Sequence, residues 1–166
     1  MKSIKLNIIL ITLTLIIFPS ALWALSSDKT KPVEIEADSF NLDDAKKITL
    51  YSGNVIITQG SMKIMADKVT IYGKRGATDK VIAIGRPVKF NQQPDGNQGL
   101  IRGEAQRLEY LVSKDTLTLI KEATLWQAGN IFASDRIVYD SKRSIVKAGD
   151  SESASKRVSI TLEPAK

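Results

Sequence analysis

The chain has 166 residues, a formal net charge of +6, no cysteine and no histidine. The missing residue types exclude Ser-His-Asp and Cys-His nucleophilic catalysis, zinc sites of the His/Cys kind and any disulfide framework, leaving carboxylates, Lys, Tyr and hydroxyls as the reactive inventory. The basic residues are spread along the chain, which favours solubility and contacts with anions such as lipid phosphates, acidic glycans or acidic proteins, and gives no polybasic footprint for nucleic acid.

Residues 1–26 read as a secretory signal peptide. Lys2 and Lys5 form its positive start, residues 6–18 are apolar apart from Asn7, Thr12 and Thr14, and Pro19-Ser20 ends the run before a group of small residues. The run is shorter than the roughly 20 apolar residues that span a bilayer, so cleavage near residues 24–26 is expected, with an uncleaved anchor as the competing reading. Loss of Lys2 and Lys5 leaves a charge of +4 on residues 27–166. That length is enough for one domain with a real core. With no cysteine to carry a lipid, export would yield a soluble protein beyond the inner membrane.

Alternation begins after a polar lead-in at 26–31. Residues 33–38, VEIEAD, have period 2 and one apolar face, as a half-buried strand requires. Further short strands are expected at 48–51 and 55–59, with Ser52-Gly53-Asn54 as a turn or bulge between them, and at 62–66 and 69–72. Residues 73–79 read as a basic loop. Strands follow at 81–84 and 88–90. Pro94-Asp95-Gly96 marks a loop over 92–99. Residues 100–102 and 107–111 come next, then a turn at Ser113-Lys114-Asp115. The remaining strands are 117–120, 124–127, 131–133, 136–139, 145–146 and 158–163. No segment carries a helical apolar period of useful length, so the fold class is all-β: a sandwich, or a rolled, solenoid-like jelly roll of short antiparallel strands.

The chain also repeats itself. Ile35-Glu36-Ala37-Asp38, Ile64-Met65-Ala66-Asp67, Ile101-Arg102-Gly103-Glu104 and Phe132-Ala133-Ser134-Asp135 share an apolar, variable, small, acidic pattern, with starts 29, 37 and 31 residues apart. Thr49-Leu50 and the stretch to Val69 align with Thr118-Leu119 and the stretch to Ile137, with the offset changing from 69 to 68 midway. Such spacing points to stacked supersecondary units sharing one core.

Val33, Ile35, Val55, Ile57, Met62, Ile64, Val69, Ile71, Val88, Phe90, Leu117, Leu119, Leu125, Ile131, Ile137, Val158 and Ile160 are the expected inward positions. They form either an ordinary packed core or the wall of an apolar groove where a rolled sheet closes imperfectly. The first and last strands are clean alternators without internal proline, and open edges of that kind invite pairing with other chains. Gly73-Lys74-Arg75-Gly76 has the composition of a phosphate nest but reads better as a solvated hairpin tip. A carboxylate-pair glycosidase on a β-solenoid remains conceivable, yet no pair of acids is singled out.

Residues 51–60, YSGNVIITQG, followed by MKIMADKV at 62–69, resemble the signature of the OstA/LptA family of periplasmic lipopolysaccharide-transport proteins. PVEIEAD at 32–38, GRPVKF at 85–90 and the Glu109-Tyr110 to Lys114-Asp115 hairpin resemble it in order and spacing. The likeness covers roughly residues 32–163. It implies a single β-jelly-roll domain over 27–166 with a V-shaped groove that shields the acyl chains of lipid A. It implies no enzymatic activity, no cofactor and no metal. The implied lipid-contacting positions are Val33, Ile35, Lys80, Phe90 and Val112, and the implied assembly edges are Val33 and Ile35 at one end and Val158, Ile160 and Leu162 at the other. The implied partners are lipopolysaccharide, an LptC-like inner-membrane protein, an LptD-like N-terminal domain and further copies of the chain joined head to tail. The alternative within the same pathway is a membrane-anchored component of the LptC type. Glu122-Ala123-Thr124 departs from the Gly-Asn-Val run usual at its place.

Overall fold

The computed structural model describes residues 28–74, 77–94, 99–149 and 157–164; the signal-peptide segment and residues 75–76, 95–98 and 150–156 lie outside them. Ten strands form one antiparallel sheet: β1 (Val33–Glu36), β2 (Ser39–Asp43), β3 (Ile48–Gln59), β4 (Met62–Lys74), β5 (Ala77–Gln92), β6 (Ile101–Leu111), β7 (Thr116–Gln127), β8 (Asn130–Asp140), β9 (Ile145–Ala148) and β10 (Ser159–Thr161). The order is β1-β3-β4-β5-β6-β7-β8-β10, with β2 also on β3 and β9 also on β8. Short 3-10 turns stand at Asp28–Thr30 and Val112–Lys114.

The expected short strands fuse in pairs into six long ones. Each long strand breaks register near its middle, and the breaks fall side by side: between Ser52 and Val55, Met65 and Lys68, Ile84 and Val88, Glu104 and Arg107, and Ile120 and Ala123. One extra residue in a strand swaps the faces of everything beyond it. Hence β4 buries Ile64 and Ala66 before its break and Val69 after it, and β5 buries Val81 and Ala83, then Val88 and Phe90. Strands β3 and β7 bend differently, through two consecutive left-handed residues: Gly53 (φ 80°) and Asn54 (φ 46°), then Lys121 (φ 64°) and Glu122 (φ 52°). Two residues preserve parity, so Tyr51 and Val55, like Leu119 and Ala123, keep to one face. Both halves of every long strand thereby face one interior, and a rolled sheet encloses one apolar core.

The hydrogen-bond register reveals how deep the repetition runs. Ile48 pairs with Tyr72 and Thr116 with Asp140; Gln59 pairs with Met62 and Gln127 with Asn130. Every β3–β4 pair recurs in β7–β8 at a shift of 68 residues. The pairs Val33–Gln59 and Ser39–Ser52 recur as Ile101–Gln127 and Arg107–Ile120 at the same shift, so β1 and β2 together are the counterpart of β6. Even the turns match: Lys47 N–H donates to Asp44 O as Asp115 N–H donates to Val112 O, and Gly73 N–H reaches Lys47 O as Ser141 N–H reaches Asp115 O. The unit closes with one more strand. Ile71 pairs with Val81 and Tyr139 with Val146, while Ile64 pairs with Phe90 and Phe132 with Ile160, making β9 and β10 the counterpart of β5.

Two expectations are corrected here. The offset is 68 throughout, with no residue lost, and Ile35 corresponds to Gly103 rather than to Ile101. Period-2 strings look alike when slid by two residues, and only the ladder fixes which slide is real. Residues 73–79 are mostly strand, because β4 runs to Lys74 and β5 starts at Ala77. Of the expected inward residues, Val33, Val158 and Ile160 are exposed and Ile131 is half-buried. They sit on end strands, or on the strand next to one, where little covers the inward face.

Candidate functional site

The inward face of the first unit does not fill. Between β1–β2 and the sheet that carries β3 and β4 lies an open groove of ≈ 890 Å³. Val33 and Ile35 of β1 and Phe40 and Leu42 of β2 line one side; Tyr51, Ile57, Ile64 and Ile71 line the other. Alternation on β1 and β2 places these four on one face, while Glu34, Glu36 and Asn41 point to the other. The Phe40 and Tyr51 rings stack at 6.3 Å.

Polar groups gather at the rim and at one end. Lys47 and Lys74 are exposed and line the groove, with Asp44. Val112 and Asp115 reach it from the turn after β6. Asp115 is only 2% exposed. Its carboxylate accepts a hydrogen bond from Tyr110 Oη at 3.1 Å and pairs with Lys142 Nζ at 3.1 Å, and its carbonyl accepts from the Ser141 N–H and hydroxyl. Burial, and then the Asp115 charge and hydrogen bond, push the Tyr110 hydroxyl far above the ordinary phenol range, so it stays a neutral donor.

At the opposite end Asp28 fastens the lead-in to the β3–β4 hairpin tip. It accepts from Ser61 N–H at 2.8 Å and Ser61 Oγ at 2.5 Å, with Gln92 at 3.4 Å. Burial opposes ionisation there, but the Ser61 and Gln92 hydrogen bonds and the Lys31 charge outweigh it and hold the carboxyl below its usual value. Asp43 and Asp140 are spent on their own turns, where bonds from Lys46 and Arg143 lower them. Among the described residues no group of three or more acids converges as a metal cage would need. The acids tie turns and the groove is apolar, an arrangement suited to binding an amphipathic molecule.

The five lipid-contact expectations divide. Val33, Ile35 and Val112 line the groove. Phe90 does not: it is sealed in the core against the β6 neighbour that covers β5. Lys80 lies elsewhere, its ammonium 4.9 Å from the Tyr72 ring centroid. Phe40, Leu42, Tyr51, Lys47 and Lys74 were not singled out from the sequence, although the alternating FNL at 40–42 continues the face of Ile35 and could have marked the first two. Of the edge residues, Val33 and Ile35 lie on β1 at one end of the sheet; Ile160 lies on β10 at the other, with Val158 and Leu162 flanking it.

Residues 34–145 match the family described as LptA/(LptD N-terminal domain) LPS transport protein. Over 149 residues the chain is 34% identical to the lipopolysaccharide export system protein LptH of Pseudomonas aeruginosa, covering 86% of this chain and 85% of that one. Over 161 residues it is 35% identical to the lipopolysaccharide export system protein LptA of Haemophilus influenzae, covering 95% and 92%. The crystal structure of the Pseudomonas protein, titled as the LptA-homologous periplasmic component of the lipopolysaccharide transport device, superposes with a TM-score of 0.77 at 30% identity, covering 84% of this chain and all of that one.

Proposed function

The chain belongs to the LptA/LptD N-terminal domain family of lipopolysaccharide transport proteins, and from that premise we propose that it is a periplasmic carrier that shields lipid A acyl chains while lipopolysaccharide crosses between the membranes. The observation that carries this reading is the open apolar groove beside β1 and β2, with Lys47 and Lys74 at its rim. Its volume falls in the range of ligand sites. Each acyl CH₂ taken out of water contributes about 0.8 kcal/mol, and the exposed ammonium groups suit the phosphates of lipid A. The chain does no chemistry on its cargo in this reading, so the energy for transport enters elsewhere. Export follows cleavage near residues 24–26. The partners are an LptC-like protein at the inner membrane, an LptD-like N-terminal domain at the outer membrane, and further copies of the chain head to tail.

The test is lipid retention. The exported form, purified and incubated with lipopolysaccharide or with phosphatidylethanolamine, is expected to retain the former by native mass spectrometry. Ile35→Asp places a charge in the apolar groove and is expected to lose retention with unchanged circular dichroism. Equal retention of both lipids, or full retention by the variant, would overturn the reading. N-terminal sequencing of the soluble periplasmic form tests export; a chain that stays with the inner membrane still carrying residues 1–26 would favour the anchored alternative.

A further inference from the structure

The repeat makes the two ends of the sheet specific about what they lack. Within the chain, β5 closes the first unit and β6 opens the second, and the two pair directly: Lys89 opposite Glu104, Phe90 opposite Gly103, Val81 opposite Tyr110. The last edge, β9 and β10, is the counterpart of β5; the first edge, β1 and β2, is the counterpart of β6. Each end therefore offers one half of a junction that the molecule already contains once.

The exposed apolar residues bear this out. Among the described residues nine large hydrophobic side chains are exposed, and six of them lie on these two ends. Phe40 is 69% exposed where its counterpart Leu108 is 0%, and Val33 is 53% exposed where Ile101 is 0%. Ile160 is 54% exposed where Phe90 is 2%, and Val158 is 39% exposed where Val88 is 0%. Leu42 and Leu162 complete the set. A solvent-facing end gains nothing from apolar residues at these alternate positions. A covered one does, as the β5–β6 contact demonstrates. The outward neighbours Glu34, Glu36 and Ser159 stay polar and exposed.

We infer that a second copy of this chain lays its β1–β2 edge on the β9–β10 edge of the first in the register that β6 adopts on β5. Glu36 of the second copy then stands opposite Ser159, Ile35 opposite Ile160, Glu34 opposite Thr161, Phe40 opposite Ala148 and Leu42 opposite Val146. The inference rests on the head-to-tail association proposed above and adds its register. Such a joint is heterologous and leaves a free edge of each kind, so it propagates. It continues the inward face of one copy into the next, covering the exposed Val33 and Ile160. Two short strands bury little area, so the joint is weak and depends on concentration.

Cysteine exchange tests the register without background, since the chain has no cysteine. Directly opposed residues of antiparallel strands lie within disulfide reach. Four double variants permute the same four positions. S159C/E36C and T161C/E34C are in register; S159C/E34C and T161C/E36C are slipped by two residues. All four sites are exposed, and circular dichroism checks each fold. Under mild oxidation the two in-register variants are expected to give covalent ladders beyond dimer on non-reducing gels, while the slipped pairs and the single-cysteine variants stop at dimer. Ladders from the slipped pairs instead would overturn the register and leave head-to-tail association standing. No ladder from any pair, although light scattering of the unmodified chain shows concentration-dependent oligomers, would move the joint away from these edges. No ladder and no oligomers would overturn the association itself.

Discussion

Leu108 and Phe40 occupy the same place in two copies of one unit, 68 residues apart. Leu108 is sealed by β5 on one side and β7 on the other. Phe40 has β3 on one side and no strand on the other. The same contrast recurs along the pair of units: Leu117 and Leu119 are buried where Thr49 and Tyr51 line the groove, and Tyr139 is buried where Ile71 does so. Backbone register is shared, so the difference between a closed core and an open groove comes from the neighbour strand and from side-chain volume. In the second unit leucines fill the space; in the first, Thr49 is small and the β1–β2 flank is bare. One architecture thus supplies both a stabilising half and a binding half.

The comparison breaks if equivalent truncations cost the same. Leu108→Ala removes a fully buried side chain and is expected to cost about 2–5 kcal/mol. Phe40→Ala removes a ring held by one stacking contact and is expected to cost about 1 kcal/mol or less. Urea unfolding of both variants at a dilution where the chain is monomeric measures the gap. Similar losses would show that the first unit is packed as tightly as the second.

A second contrast lies at the turns. Asp115 and Lys47 are counterparts, both left-handed (φ 49° and 57°), but only Asp115 is buried. Asp115→Ala strands the buried Tyr110 hydroxyl and unpairs Lys142. It is expected to cost about 1–3 kcal/mol, discounted on the Lys142 side because that ammonium is mostly exposed. Lys47→Ala is expected to leave stability within about 0.5 kcal/mol and to weaken lipopolysaccharide retention. Loss of stability from both, or from neither, would blur the distinction between closed and open ends.

The smallest expected effect concerns pH. The Asp28 carboxyl has its native value lowered, so it stabilises the folded chain above its unfolded value of 3.8, and that contribution disappears as pH falls through the lower native value. Asp28→Asn lacks it at every pH. The stability difference between the two proteins is therefore expected at pH 7 and to shrink toward pH 3 in paired urea titrations. A difference that persists undiminished at pH 3 would mean that the Ser61 contacts do not depend on the charge.

Much of this was legible in the sequence. Alternation at 33–38 and 55–59 and the absence of a helical period gave the all-β class, and the repeated Gln59 and Gln127 before each hairpin marked the two units. Three things were not legible. The bulges were hidden because Met65 to Lys68 reads as two strands with a gap, although the chain stays extended through it. The phase between units was hidden by period 2, which makes Ile35 match Ile101 as well as Gly103. The groove was hidden because burial depends on neighbours in space: Phe90 and Ile160 share a pattern, yet β6 covers one and nothing covers the other. Residue type placed Val33 in the interior; position at the end of the sheet put it at the groove.

The central claim is that the open unit holds the acyl chains, and photo-crosslinking on β1 tests it most directly. A photoreactive residue at Ile35 faces the groove and one at Glu34, a single residue away on the same strand, faces out. After irradiation in the presence of lipopolysaccharide, adducts are expected at position 35 and only background at position 34. Equal capture at the two positions, with both variants folded, would contradict the account.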